Sequence, residues 1–272
     1  MQNENVTYDT DGPVAVVTLN RPHYRNAQSW GLLDGVDEAF NKAEADDSIR
    51  VIVVRGAGEH FSSGHDLGTP ESIAERELRG ASDEGIEFYQ NFRKYNIDYL
   101  LKWRNSPKPS ISMVRGYCIF AGWMLAAATD LVFADTSARF LPGLVEYFTQ
   151  PWDLGVRKAK ELLFESRFIE AGESKDLGFV NRVYAPHDLE RETMAYAHRV
   201  AENQPLTVRL TKLAINNAQD AQGFTTAVEA AFADYIVMMR LHSGGRVEGG
   251  ARRLVPVDLA VQGLKGERYG QR

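Results

Sequence analysis

Residues 111–128 read ISMVRGYCIFAGWMLAAA, and the succession of side chains in this stretch decides the fold class. Pro107 and Pro109 stop the preceding helix, and Ile111 to Val114 then has strand character. Gly116-Tyr117 turns the chain into Ala121 to Ala128, which is apolar on every side and so predicts a helix buried all round. Asp130 precedes a further strand, Leu131 to Ala134. Strand, glycine turn, buried helix and strand in immediate succession define an α/β layer.

Working outward, the same alternation continues. Val14 to Leu19 is β-branched and mostly apolar, a strand buried on both faces, and Asn20-Arg-Pro22 breaks it. Leu32, Leu33, Val36, Ala39, Phe40 and Ala43 recur at helical spacing, and Asp46-Asp47 ends that helix. Ile49 to Val54 reads as a second buried strand, followed by Gly56, Gly58 and the loop Phe61-Ser-Ser-Gly-His-Asp-Leu67. Residues 69 to 85 are polar and rich in Glu and Arg, which predicts a solvated or mobile stretch. Helix resumes through Phe88, Phe92, Tyr95, Tyr99 and Leu100.

The second half is mainly helical. Gly155 to Phe164 carries basic residues on one side and Leu162, Leu163 on the other. Asp188 is placed to cap a helix bearing Leu189, Tyr196, Ala197 and Val200. The last helix, with Phe224, Val228, Ala231, Phe232, Tyr235 and then Ile236 to Met239, is apolar nearly all round, which burial in an oligomer interface explains. The division is therefore a core over 1–186, a helical oligomerisation region over 187–243 and a tail over 244–272. The tail carries Arg246, Arg252, Arg253, Lys265, Arg268 and Arg272, and reads as a surface tail or as a contact for an anionic ligand or a subunit.

Composition narrows the function. With 31 Lys+Arg against 37 Asp+Glu in 272 residues the net charge is −6, an unfavourable balance for nucleic acid. One cysteine, Cys118, excludes an intramolecular disulfide framework and a zinc site built on paired cysteines, and no metal is expected. The polar, acidic N-terminus lacks the basic and apolar regions of a signal peptide, and no run approaches the ~18 apolar residues of a membrane span. The expectation is a soluble cytoplasmic protein with no membrane partner.

Several segments in register resemble the crotonase (enoyl-CoA hydratase/isomerase) superfamily. They are Leu19-Asn-Arg-Pro22 with Arg25-Asn-Ala27, the loop Phe61 to Leu67, Arg115 to Gly122, Ala126 to Phe133, and Gly155 to Phe164 with Ala171 to Val183. The resemblance covers roughly residues 6 to 203 and implies a spiral of β-β-α units with a C-terminal helical trimerisation region, as a trimer or a dimer of trimers. It implies acyl-CoA thioester chemistry with no separate cofactor, coenzyme A being part of the substrate.

Such chemistry passes through an enolate or a tetrahedral oxyanion, which two backbone N–H groups can stabilise. By resemblance these are the amides of His65 and Ala121. Gly64 allows the tight turn before His65, and the small Ala121-Gly122 pair begins a helix. His65 is read chiefly as a turn residue lending its amide. Arg25, Ala27, Ser63, Asp66 and Leu67 match positions that line coenzyme A in relatives. Trp123 and Met124 read as acyl-pocket wall as much as core, and Cys118 as packing in the strand-to-helix junction.

One departure matters. Hydration requires a base for water and an acid for the α-carbon, which a glutamate pair supplies in hydratases. Met124 occupies the first position, and gapless counting over a shortened loop puts Leu144 at the second. Three substitutes stand. Glu146, among apolar neighbours that would raise its pKa, resembles the single glutamate of the isomerase branch; its alternative is pairing with Arg139. Asp153 is catalytic or, the favoured reading, the N-cap of the helix from Gly155. Tyr117 and Tyr147 are hydrogen-bond donors to substrate or satisfied core residues. The expected protein is an acyl-CoA enzyme with isomerase, hydrolase or atypical hydratase chemistry in preference to efficient crotonyl-CoA hydration. The alternative is a non-catalytic acyl-CoA binder.

Overall fold

The computed structural model describes residues 4–82, 84–242, 258, 261–263 and 265. Its larger sheet has six strands: β1 (Val6–Asp11), β2 (Val14–Leu19), β3 (Val51–Gly56), β4 (Ser110–Val114), β6 (Leu131–Asp135) and β9 (Arg182–Tyr184), hydrogen-bonded in that order. A three-stranded sheet joins β5 (Tyr117–Ile119), β7 (Arg139–Leu141) and β8 (Ile169–Glu170). From β2 to β9 every pairing in the larger sheet is parallel. Parallel neighbours require crossover segments, and these cover both faces, so the central strands are mostly apolar. All six residues of β2 are buried, as their composition predicts.

Eleven α-helices are described: α1 (Trp30–Ala45), α2 (Pro70–Leu78), α3 (Gly85–Arg93), α4 (Tyr99–Arg104), α5 (Ala121–Ala127), α6 (Gln150–Asp153), α7 (Val156–Glu165), α8 (Ala171–Asp176), α9 (Leu189–Ala201), α10 (Pro205–Ala221) and α11 (Phe224–His242). Ala15, Val17 and Leu19 of β2 pack into the main core with Leu32, Val36 and Phe40 of α1. Val14 and Val16 point to the opposite face, where Leu189 and Ala197 of α9 cover them. The period of two along one strand thus supplies two cores.

Several sequence expectations change. Residues 6–11 escaped notice because VTYDTD is acidic and largely exposed, yet β1 pairs with β2 through a two-residue Gly12-Pro13 turn. The polar stretch after residue 69 contains α2, because Thr69 caps it through its side chain and Pro70 presets its first turn. Between α3 and α4, residues Lys94–Asp98 form a π-helical turn that buries Tyr95, Asn96 and Ile97.

Asp188 precedes α9 but makes no capping hydrogen bond; its carboxylate pairs with Arg191. Asp153 does not cap the helix after Gly155 either. It is the last residue of α6, and Thr149 donates its hydroxyl to the Asp153 carboxylate.

The last helix is covered by its own chain along only part of its length. Phe224, Val228 and Phe232 of α11 lie in the main core. Val237 and Leu241 of α11 stay exposed, as do Leu206, Leu210, Leu213 and Ile215 of α10. Of the basic tail, only Lys265 falls within the described residues; Arg246, Arg252, Arg253, Arg268 and Arg272 lie outside them. No helix among the described residues is long and apolar enough to cross a membrane.

Candidate active site

Two loops leave the carboxyl ends of neighbouring parallel strands and are laced together. After β3, Phe61 and Ser62 donate their amides to the carbonyls of Arg115 and Tyr117, 2.9 Å away in each case. Ile119 returns a bond to the Ser62 carbonyl at 3.0 Å. The close approach needs glycine on both sides. A Cβ on Gly64, whose φ is +94°, would lie 2.8 Å from the Ile119 carbonyl oxygen, and one on Gly122 would lie 2.8 Å from that of Ser62.

This lacing brings together the turns that carry the His65 and Ala121 amides. Gln28 forms a parallel bridge with His65: its N–H donates to the Gly64 carbonyl at 2.8 Å, and its carbonyl accepts from Asp66 at 3.1 Å. In a parallel bridge the central residue's own amide faces away from the partner strand, so the His65 N–H points away from Gln28. Ala121 is the first residue of α5, and its N–H is one of those a helix leaves without an internal acceptor. Before it, Phe120 adopts φ +46° and ψ −106°, a costly backbone conformation for a residue with a side chain. A Cβ on Gly64 would lie 3.5 Å from the Ala121 nitrogen, which places the two turns in contact.

Gln28 was missed in the sequence. Its side-chain amide donates to the Ala121 carbonyl at 3.1 Å and to Ser62 Oγ at 3.2 Å, tying both turns to the segment before α1. Only its adjacency to Arg25-Asn-Ala27 hinted at it.

Arg25, Ala27, Ser63, Asp66 and Leu67 are brought together, lining an open outer pocket with His65. They do not contribute equally. The Asp66 carboxylate accepts from Arg21 at 2.7 Å and Thr69 Oγ1 at 2.6 Å, and from the amides of Gly68 and Thr69, so it anchors the loop and is not free for a ligand. Burial pushes its pKa up, but these donors outweigh burial and hold it below the usual range. Leu67 stands 94% exposed at the pocket rim.

Behind the 65–68 segment, an inner cavity of about 370 Å³ is walled by Trp30, Leu33, Phe88 and Phe92 and contains His65, Glu146 and Tyr235. Glu146 is 3% exposed and lies 3.0 Å from His65 Nε2 through Oε2. Its expected local partner, Arg139, pairs with Glu170 instead. The expected upward shift of its pKa is also reversed. Burial raises it, but the charge of His65, the His65 hydrogen bond and the nearby Tyr235 hydroxyl together hold it below the ordinary value. Glu146 Oε1 has no hydrogen-bond partner among the described residues by distance and angle.

The remaining candidates lie elsewhere. Met124 and Trp123 lie in the main core and line neither pocket. Met124 is 1% exposed, and Trp123 stacks on Phe179 with ring centroids 3.6 Å apart. Tyr117 stacks on His60, centroids 4.6 Å apart, and lines neither pocket. Tyr147 is buried in the core with its hydroxyl unpartnered among the described residues, against the expectation that a core partner satisfies it. Asp153 faces a separate groove with Phe224 and α10, away from the inner cavity. Cys118 is buried in the core as expected, and burial pushes its thiol pKa up.

A mainly parallel α/β core with two interlaced strand-end turns beside a cavity defines the class of fold and site. The sequence profile described as enoyl-CoA hydratase/isomerase matches residues 9–236, and the chain belongs to that family of enzymes. It is 38% identical to a putative enoyl-CoA hydratase of Mycobacterium tuberculosis over 95% of this chain and 87% of that one. Among solved structures it resembles a probable enoyl-CoA hydratase from Mycobacterium smegmatis, with a TM-score of 0.76, 38% identity and coverage of 84% and 91%. It also resembles an enoyl-CoA hydratase/isomerase from Xanthobacter autotrophicus Py2, with a TM-score of 0.78, 30% identity and coverage of 97% and 94%.

Proposed function

We propose that the chain acts on an enoyl-CoA thioester by single-base proton transfer, with Glu146 as the base. The observation that carries this reading is the inventory of acids at the inner cavity. Among the described residues lining it, the carboxylates are Asp66 and Glu146, and Asp66 is consumed by Arg21 and Thr69. Met124 and Leu144 stand where the hydratase glutamates would be, so the cavity offers one available carboxylate and not a pair.

In the proposed reaction the thioester oxygen lies between the amides of His65 and Ala121. The Glu146 carboxylate takes a proton from the carbon chain, and the electron pair left behind moves into the thioester as an enolate. The same proton returns at another carbon, which shifts the double bond. The amides stabilise the charge as it develops, each contributing ~2.7–4 kcal/mol at a comparable donor position. Arg25, Ala27 and Ser63 line the entry for the CoA moiety, giving this net-negative chain a local cation where its anionic ligand enters. The exposed leucines of α10 fit a second copy of the chain, in the trimer or dimer of trimers that the resemblance implies.

The test is E146Q, assayed for double-bond migration in a 3-enoyl-CoA and for exchange of α-protons in deuterated water. Loss of both by ~10²–10⁴-fold, with acyl-CoA binding retained, is expected. A wild-type protein that binds acyl-CoA with neither migration nor exchange would be a binder only. Crotonyl-CoA hydration near ~10⁸ M⁻¹s⁻¹ would overturn the single-base reading.

A further inference from the structure

The side chain of His65 has no part in the reading above, which uses only its backbone amide. Yet its Nε2 is 3.0 Å from Glu146 Oε2, across 81 positions of sequence. The imidazole is 26% exposed and the carboxylate 4%, so the contact lies at the boundary between the outer pocket and the inner cavity. We propose that the His65 imidazole is a positioning residue for Glu146, carrying a proton that holds the carboxylate ionised and oriented while the same residue's amide receives the thioester oxygen. This rests on the assignment of Glu146 as base. One residue then couples the base to the oxyanion donor: any movement of the His65 turn moves both.

The surroundings favour the charged pair. From α11 the Tyr235 hydroxyl faces Glu146, and no cation other than His65 acts on that carboxylate among the described residues. Of the other charged or titratable groups around the inner cavity, Asp66 is neutralised by Arg21, Arg76 lies over the Trp30 ring, and the Tyr95 hydroxyl accepts from Arg79. Arg25, Glu59 and His60 line the outer pocket on the far side of His65. Burial alone would leave the imidazole neutral, but the facing carboxylate reverses this and raises its pKa.

Replacing the side chain leaves the backbone amide in place, so the two roles of residue 65 separate in H65A. The acid limb of the kcat/KM profile for double-bond migration is expected to rise by about 1–3 pH units in H65A, because Glu146 loses its counter-charge in an apolar setting. H65K, which restores a cation, is expected to bring the limb back toward wild type. An unmoved acid limb with a uniform fall in rate would overturn the proposal and leave His65 a structural residue. E146Q in the same assay separates the two readings, since full activity there would remove the base itself. Should H65A fail to fold, NMR titration of the imidazole decides: its pKa must fall in E146Q relative to wild type, and an unchanged value overturns the pairing.

Discussion

His65 Nε2 and Glu146 Oε2 meet at 3.0 Å, joining the turn after β3 to the irregular segment after β7. Burial opposes both charges, and each is nevertheless stabilised by the other. The pair therefore has a defined pH window. His65, raised above 6.5, contributes fully below that value and loses its contribution as pH climbs through the folded pKa. Glu146, lowered below 4.5, contributes fully above that value and loses it as pH falls through the folded pKa. The stability difference between wild type and H65A should be greatest between pH 4.5 and 6.5, at about 1.5–3 kcal/mol. Urea unfolding of both proteins across pH 3 to 10 measures it, and a flat difference would contradict the pairing.

Gly64 offers a test of the proposed oxyanion turn. Its φ of +94° and the 2.8 Å approach of the Ile119 carbonyl leave no room for a methyl group. G64A should force the two turns apart, costing about 1–3 kcal/mol of stability. The larger effect should be on kcat, which should fall by ~10²-fold as the His65 amide loses its aim. Steady-state kinetics beside thermal unfolding separates these effects.

The buried Arg21–Asp66 pair holds the loop that both pockets share. Their side chains are 3% and 0% exposed, and D66A would strand the guanidinium. A loss of about 3–5 kcal/mol is expected, read from chemical denaturation. A loss below ~1 kcal/mol would mean that the loop is anchored elsewhere.

Asp153 should behave in the opposite sense. Burial pushes its carboxyl up to about 7, so the folded state resists ionising it. Its contribution is intact below 3.8 and declines as pH rises to about 7. D153N should therefore gain on wild type through that interval, by at most about 1.4 kcal/mol per pH unit, and then level off. Its kcat should stay at the wild-type level, because the residue faces a groove outside the inner cavity. A large loss of turnover would restore Asp153 as a catalytic candidate.

Local pattern carried much of this protein. The mostly apolar runs of β2, β3, β4 and β6 and the all-apolar α5 could be read directly, because burial on both faces leaves few polar residues in the run. The glycines of the 61–67 and 115–122 loops marked turns, since close backbone approach excludes a side chain. The absence of glutamate at 124 was equally plain.

What one residue meets across the fold was decided only by tertiary structure. Glu146 sits in a segment without regular structure, so no periodicity indicated which way it points. Its partner could not be inferred from its neighbours: the arginine close in sequence pairs with Glu170, whereas a histidine 81 positions away holds the carboxylate. Asp153 and α11 illustrate the same limit. Asp153, two residues before Gly155, reads in sequence as a cap, and the apolar α11 reads as an interface. Chain connectivity instead placed Asp153 in a groove beside α10, and it packed one stretch of α11 on its own core while leaving Val237 and Leu241 exposed. Pattern reports how much of a side chain leaves water, but the identity of what it then touches depends on loops that bring distant segments together.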